Sequence, residues 1–384
     1  MKTLAVGLVL LVLGAAALVS GTVPLPAAID LWDRVWPVLL FVVSITVVTE
    51  LAATAGVFTV VARHAARWGR GRAWLLWLLV VAGAGLCTVF LSLDTTAVLL
   101  TPIVVAMARQ VRLKPLPFAL TTVWMANTGS LLLPVSNLTN LLAQNAMGGP
   151  SPLAFAALMW PAAVAAALVP MALIALIARR SLRERFVVPA PVGVAEPVLF
   201  RWASATVATL IPLLVSGLPV WMPASAAALV LGVVFAVRQP RSLRLGLIPW
   251  RLMVFVCGLF LTVEALHGLG LGAALANVAG MGNGVGELLR LAVTGAWGAN
   301  LANNLPAYLT LEPVAGSPLR LAALLVGVNA GPLIVPWGSL ATLLWHERLV
   351  TMGVEVPWRR VIGWGAIAAP LAVVAGTLAL GLAR

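Results

Sequence analysis

Three acids, Glu50, Asp94 and Glu264, stand inside runs of apolar residues. An ionisable side chain at the centre of a bilayer costs about 2.5–3.5 kcal/mol on insertion scales, so each acid needs a partner or a use. A carboxylate there can carry a proton, hold a cation or tie one helix to another. Asp94 lies in the polar turn Ser92-Leu93-Asp94-Thr95-Thr96. Helix ends leave backbone groups unpaired, so such a turn can receive an ion or a polar solute; the same position also suits a helix cap. Amides recur in similar settings: Asn127, Asn137 and Asn140 in one stretch, Asn303 and Asn304 in a second, Asn329 in a third. Pro134 precedes Ser136-Asn137, and Pro336 precedes Gly338-Ser339. Proline removes a helix donor and frees a carbonyl, which gives a polar solute a place to dock.

Other chemistry has less support. His267 lies one helical turn beyond Glu264, where it can relay protons or sit at a membrane boundary. His64 and His346 stand among arginines and read as solvated loop residues. Gly280-x-Gly282-x-Gly284-x-Gly286 has no Gly-Lys-Ser/Thr beside it and reads as a flexible external loop. Cys87 and Cys257 both lie in apolar runs and form neither a disulfide framework nor a metal site. There is no His-Glu-x-x-His, no nucleophile elbow and no acidic cluster for Mg-diphosphate. An intramembrane enzyme is therefore the remote alternative, and no cofactor or metal is expected.

The elements that must position these groups follow from composition. Of 384 residues, 62% are hydrophobic and 9% charged, against about 25% charged in soluble domains. Apolar stretches recur from Leu4 to Leu382, so the chain reads as an all-α polytopic membrane protein. The net charge of +13 is a topology signal and not a mark of nucleic-acid binding, because Lys and Arg gather on cytoplasmic flanks. They cluster at Arg63–Arg72, Arg109–Lys114, Arg179–Arg201 and Arg238–Arg251. Between the first two clusters, Ala73–Ala108 is too short to cross twice, so it reads as a re-entrant hairpin (about 73–108) with its tip inside the membrane. With a retained first helix and a cytoplasmic amino terminus, about nine crossings fall near 4–20, 35–62, 116–147, 152–178, 201–217, 219–237, 249–270, 321–350 and 361–382. A second hairpin, about 288–313, enters from outside. Of the 24 Lys and Arg, only Arg34, Arg290, Arg320 and Arg384 then lie outside. Several of the Trp residues near span ends, such as Trp36, Trp68, Trp74, Trp250 and Trp358, fit interfacial belts.

The chain also repeats itself around a connector, 179–200, that divides a first half (1–178) from a second (201–384). Phe41-x8-Glu50-x5-Gly56 matches Phe255-x8-Glu264-x5-Gly270. The turn at Asp94-Thr95-Thr96 with Pro102 matches Asn303-Asn304-Leu305 with Pro313. Asn127-x-Gly129-x4-Pro134-x-Ser136-Asn137 matches Asn329-x-Gly331-x4-Pro336-x-Gly338-Ser339. In the topology above, the two halves run in opposite directions. Inverted repeats form solute sites near the midplane from broken helices, here 116–147 and 321–350.

Ser92-Leu-Asp94-Thr-Thr-Ala-Val-Leu-Leu-Thr101-Pro102-Ile-Val resembles the first hairpin of the arsenite/antimonite efflux permeases, within the ion transporter superfamily. Asn127-Thr-Gly-Ser-Leu-Leu-Leu-Pro134-Val-Ser136-Asn137-Leu-Thr-Asn140 is similar to their first broken helix. Asn303-Asn304-Leu-Pro306 and Gly338-Ser-Leu-Ala-Thr-Leu-Leu-Trp345 repeat the likeness in the second half. The chain departs from the family at Leu93, where Asn is common before the Asp, and at Ala330, where an Asp often stands. The resemblance implies a plasma-membrane secondary transporter with a scaffold and a mobile domain carrying both hairpins, homodimeric, exchanging arsenite or antimonite for protons. It also allows a soluble ATPase on the cytoplasmic face. The implied solute ligands are Asp94, Thr95, Thr96, Asn127, Ser136, Asn137, Asn140, Asn303, Asn304, Asn329, Gly338 and Ser339, with Asp94, Glu50 and Glu264 carrying the coupling ion. Relatives in the superfamily that exchange Na+ for H+, or carry carboxylates and other anions, are the alternative. Undissociated arsenous acid is a small neutral hydroxyl compound that Asn and Ser can bind without a paired cation.

Overall fold

The computed structural model describes residues 2–188 and 196–382. Among them every regular element is a helix, apart from an isolated bridge between Arg72 and Arg185. The centre of the expected connector, 189–195, and Arg384 lie outside the described residues.

The first half opens with α1 (Lys2–Val19), α2 (Leu25–Thr54) and α3 (Val57–Trp68). The crossing expected over 35–62 is thus longer at its start and divided at its end. Gly56, at φ 85°, takes a left-handed conformation that only glycine adopts cheaply, and it stops α2. Beyond it α3 is amphipathic, burying Phe58, Ala62 and Ala66 while Arg67 stays exposed. In the second half the stretch 249–270 holds one helix. There α13 (Trp250–Gly268) ends before Gly270, at φ 92°, and α14 (Leu271–Ala279) follows.

Hairpin one consists of α4 (Ala73–Leu91), then α5 (Leu93–Thr95), a π-helical turn over Thr96–Leu100 and α6 (Thr101–Gln110). It is followed by α7 (Pro115–Thr128), an irregular stretch, α8 (Leu138–Ala146), α9 (Pro152–Ile177) and a short α10 (Arg179–Leu182). The second half begins with α11 (Pro197–Leu214) and α12 (Trp221–Arg238), then α13 and α14. Hairpin two is α15 (Val285–Ala302) and α16 (Asn304–Ala315). The chain continues through α17 (Pro318–Ala330), a second irregular stretch, α18 (Leu340–Thr351) and α19 (Trp358–Leu382). Proline opens α7, α9, α11 and α17, where its missing N–H costs nothing. Seven of the described helices are long and apolar enough to cross a bilayer alone. The 13 residues of α17 rise about 20 Å, short of a hydrocarbon core of about 30 Å, so α17 and α18 must share one crossing.

Each hairpin turns on one residue that no side chain adopts cheaply: Ser92 at φ 99° and Asn303 at φ 118°. Both are held by their own side chains. Ser92 Oγ accepts from the Thr95 N–H at 3.4 Å, and Asn303 Oδ1 accepts from the Leu305 N–H at 3.4 Å. The first turn therefore falls at Ser92, and Asp94 stands in the first turn of the returning arm. Asn137 and Ser339 cap α8 and α18 in the same way. The left-handed glycines, hairpin turns and caps recur in the same order in both halves.

Two packing groups emerge. The hairpins pack with α7–α9 and α17–α19; α2 packs chiefly on α12, and α1 on α13. Inside the first group, α15 and α17 approach so closely that a Cβ on Gly327 would lie 2.1 Å from the Ala292 carbonyl oxygen. Two of the expected basic clusters meet where the Ala73 N–H donates to the Glu184 carbonyl, and Arg109 donates to the carbonyls of Met352 and Gly353.

Candidate functional site

Between the groups lies a small cavity of about 60 Å³. Four helix starts border it: Leu93-Asp94, Leu138, Asn304-Leu305 and Leu340-Ala341. The positive ends of these helix dipoles converge there, which favours an electron-rich oxygen. The polar side chains on its wall are Thr46, Ser92, Asp94, Asn137, Asn303 and Asn304, and among the described residues no Lys, Arg or His lines it. Phe41 and Phe255, equivalent in the sequence repeat, both close its apolar side.

The residues singled out from sequence divide into two sets. Asp94, Asn137, Asn303, Asn304 and the start of α18 next to Ser339 reach the cavity. Among the described residues Asp94 has no hydrogen-bonding or ionic partner, because Ser92 does the capping of its helix. Asn303 Nδ2 donates to the Trp337 carbonyl at 2.9 Å and the Asn304 N–H to the Gly338 carbonyl at 2.9 Å, docking hairpin two on the second irregular stretch. Ser136 Oγ does the equivalent for hairpin one, donating to the Val89 carbonyl at 2.8 Å.

The second set is tied up by protein. Asn329 is fully buried: its Oδ1 accepts from Asn137 Nδ2 at 2.8 Å and from Thr139 Oγ1 at 3.3 Å, while its Nδ2 donates to Asn140 Oδ1 at 3.1 Å. Asn140 Nδ2 in turn donates to the carbonyls of Ser130 and Leu133. This network joins the two broken helices. Asn127 Nδ2 donates to the Val123 carbonyl at 2.8 Å and Thr342 Oγ1 at 3.4 Å, and Ser339 Oγ caps α18 beside the same threonine. Thr95 and Thr96 turn into hairpin one, where Thr95 Oγ1 donates to the Leu91 carbonyl and Thr96 pairs with Thr88. Glu50 and Glu264 are half-buried and do not line the cavity.

Sequence reasoning passed over Glu312, which is buried, and Arg34, its ion-pair partner. Arg320 too is only 3% exposed; its guanidinium donates to a ring of carbonyls that includes Ala315, Gly280 and Gly282. The count of three deep acids is therefore corrected. Glu312 was legible as an acid at the end of the largely apolar arm Tyr308–Leu311. Next to the cavity, across Leu141, opens a vestibule of about 680 Å³ bordered by Asp33, Arg34, Gln144 and Trp221.

Comparison with known proteins agrees with this architecture. The sequence model of the citrate transporter family, CitMHS, matches residues 1–344. A protein of Yersinia enterocolitica named arsenical pump membrane protein is 31% identical over 93% of this chain and 89% of its own. One of the same name from Escherichia coli (strain K12) is 29% identical over 89% and 85%. The fold is similar to the crystal structure of the Alcanivorax borkumensis YdaH transporter, described as having an unusual topology, with TM-score 0.61 and 17% identity over 99% of this chain and 97% of that one. The chain is thus a multi-pass membrane transporter and not an enzyme, and it belongs to the citrate transporter family, alongside relatives named arsenical pump membrane proteins.

Proposed function

We propose that this transporter expels arsenite or antimonite across the cytoplasmic membrane in exchange for protons. The observation that carries the reading is the cavity itself: it is small, walled by amides and hydroxyls, free of cationic side chains, and holds one unpartnered acid. A neutral arsenous acid molecule can donate to Asp94 and accept from the amides of Asn137, Asn303 and Asn304 and from the helix starts. When Asp94 takes up a proton it becomes a donor, and a site whose hydrogen-bonding sign changes has two solute affinities. The solute ligands in this reading are the cavity residues. Asn127, Asn140, Asn329 and Ser136 hold the cavity's shape from behind, and Glu50 and Glu264 serve the frame or the proton path.

The halves 1–178 and 201–384 form an inverted repeat, supported by the recurring order of left-handed glycine, hairpin turn and cap. The group containing both hairpins moves as a bundle against a frame of α1, α2 and α11–α13, with α3 and α14 linking the two. The basic face is cytoplasmic, with the amino terminus on it, and the vestibule is outside. A homodimer and a docked soluble ATPase accompany this reading as properties the resemblance brings.

A second reading, a carrier of citrate or another carboxylate, is favoured by the converging helix starts, which attract anions, and by the family's description. The absence of any Lys or Arg on the cavity wall weighs against a multiply charged solute. Expression in an arsenite-sensitive bacterium lacking its own efflux pump separates the two. The proposal expects growth at arsenite concentrations that stop the parent strain, with less arsenic retained per cell. Equal retention with and without the gene would reject it.

A further inference from the structure

Arg34 and Glu312 form the one ion pair among the described residues, and it spans the two packing groups. Arg34 is on α2, which packs mainly against α12; Glu312 is on α16, which packs against α15 and α17 within the bundle. A second polar contact crosses at the same arm, where His267 Nε2 on α13 lies 3.1 Å from the Thr310 carbonyl oxygen. Asn304, Tyr308 and Glu312 occupy positions i, i+4 and i+8 and share one face of α16. That stripe runs about 12 Å from the cavity wall to the ion pair, so whatever fixes Glu312 also fixes the depth of Asn304.

The two partners differ in access to water. Glu312 is 9% exposed, while Arg34 is 35% exposed and borders the vestibule. When the groups part, the guanidinium has solvent beside it, whereas a buried carboxylate left alone carries a large desolvation cost. Among the described residues, hairpin one makes no ion pair to the frame. Thr101, at the position matching Glu312 when Ser92 is laid on Asn303, bonds Thr122 at 2.6 Å inside the bundle. Among the described residues, an ion pair to the frame is therefore made by hairpin two only, beside the vestibule.

We propose that the Arg34–Glu312 pair is a latch that holds hairpin two against the frame in the outward-facing arrangement, and that it opens when the cavity passes to the other membrane face. The inference rests on the moving-bundle reading but not on the identity of the solute. Both residues are positioning residues, acting on the cavity through α16.

The test reads sidedness without any solute. In a background lacking Cys87 and Cys257, Leu138→Cys places a thiol on the cavity wall, on the bundle side. A membrane-impermeant maleimide is then applied to right-side-out and everted vesicles. The parent should label mainly from outside. Arg34→Gln and Glu312→Gln should each raise cytoplasmic labelling several-fold, Arg34→Lys should keep the parent ratio, and the exchange Arg34→Glu with Glu312→Arg should restore it. Unchanged sidedness in the Gln variants, or an exchange no better than either single change, overturns the latch. If the Gln variants do not reach the membrane, Glu312→Asp, which keeps the charge and shortens the reach, must show a smaller shift in the same direction; no shift overturns the proposal. A chain that carries citrate and not arsenite would still give this labelling pattern, so failure of the latch and failure of the substrate reading are told apart.

Discussion

Asp94→Asn should abolish proton-driven accumulation of arsenite, by at least about tenfold, while leaving arsenite-for-arsenite exchange across a vesicle membrane close to the parent rate. The substitution keeps size and hydrogen-bonding capacity but removes the exchangeable proton. It does not disturb the hairpin turn, because the cap of that helix is Ser92 Oγ on the Thr95 N–H. Nor does it orphan a partner, since Asp94 has none among the described residues. Proton-driven uptake at the parent rate in the Asn variant would remove Asp94 from coupling. Loss of exchange together with accumulation would make it a solute ligand only.

Asn329→Ala should act on the fold and not on affinity. The fully buried amide accepts from Asn137 and Thr139 and donates to Asn140, so its removal strands three buried polar groups. Each stranded group costs about 1–3 kcal/mol, and the joint loss is on the order of 3 kcal/mol or more. The purified variant should unfold at a clearly lower temperature in detergent and accumulate poorly in membranes. Asn329→Asp, which keeps the acceptor for Asn137 but cannot donate to Asn140, should fall between. A normal unfolding temperature with weakened solute binding would show instead that Asn329 faces the solute.

These two variants mark the boundary of what the sequence discloses. The helix turns at Ser92 and Asn303 and the breaks before Leu138 and Leu340 were legible because each leaves a local trace: a polar turn too close to a charge cluster, or a proline beside Ser-Asn. The breaks at Gly56 and Gly270 were visible as repeat-matched glycines, but their left-handed conformation was not. An αL glycine inside an apolar run has the same composition as a helical one. Which amide faces the solute was not legible at all. Asn137 and Asn140 are three residues apart on the first broken helix and both bond Asn329, yet Asn137 also reaches the cavity while Asn140 bonds two carbonyls behind it. That sorting depends on contacts between segments some 190 residues apart. The Arg34–Glu312 pair escaped for the same reason, since its partners are 278 positions apart.

The central claim, a proton-exchanging carrier of arsenite, is tested most directly in everted vesicles carrying the full chain. An imposed gradient, acid inside, should drive arsenite into the vesicles above its external concentration, and a protonophore should release it. Citrate offered under the same gradient should not accumulate. Gradient-driven uptake of citrate, with arsenite no more concentrated inside than in vesicles lacking the protein, would contradict the account.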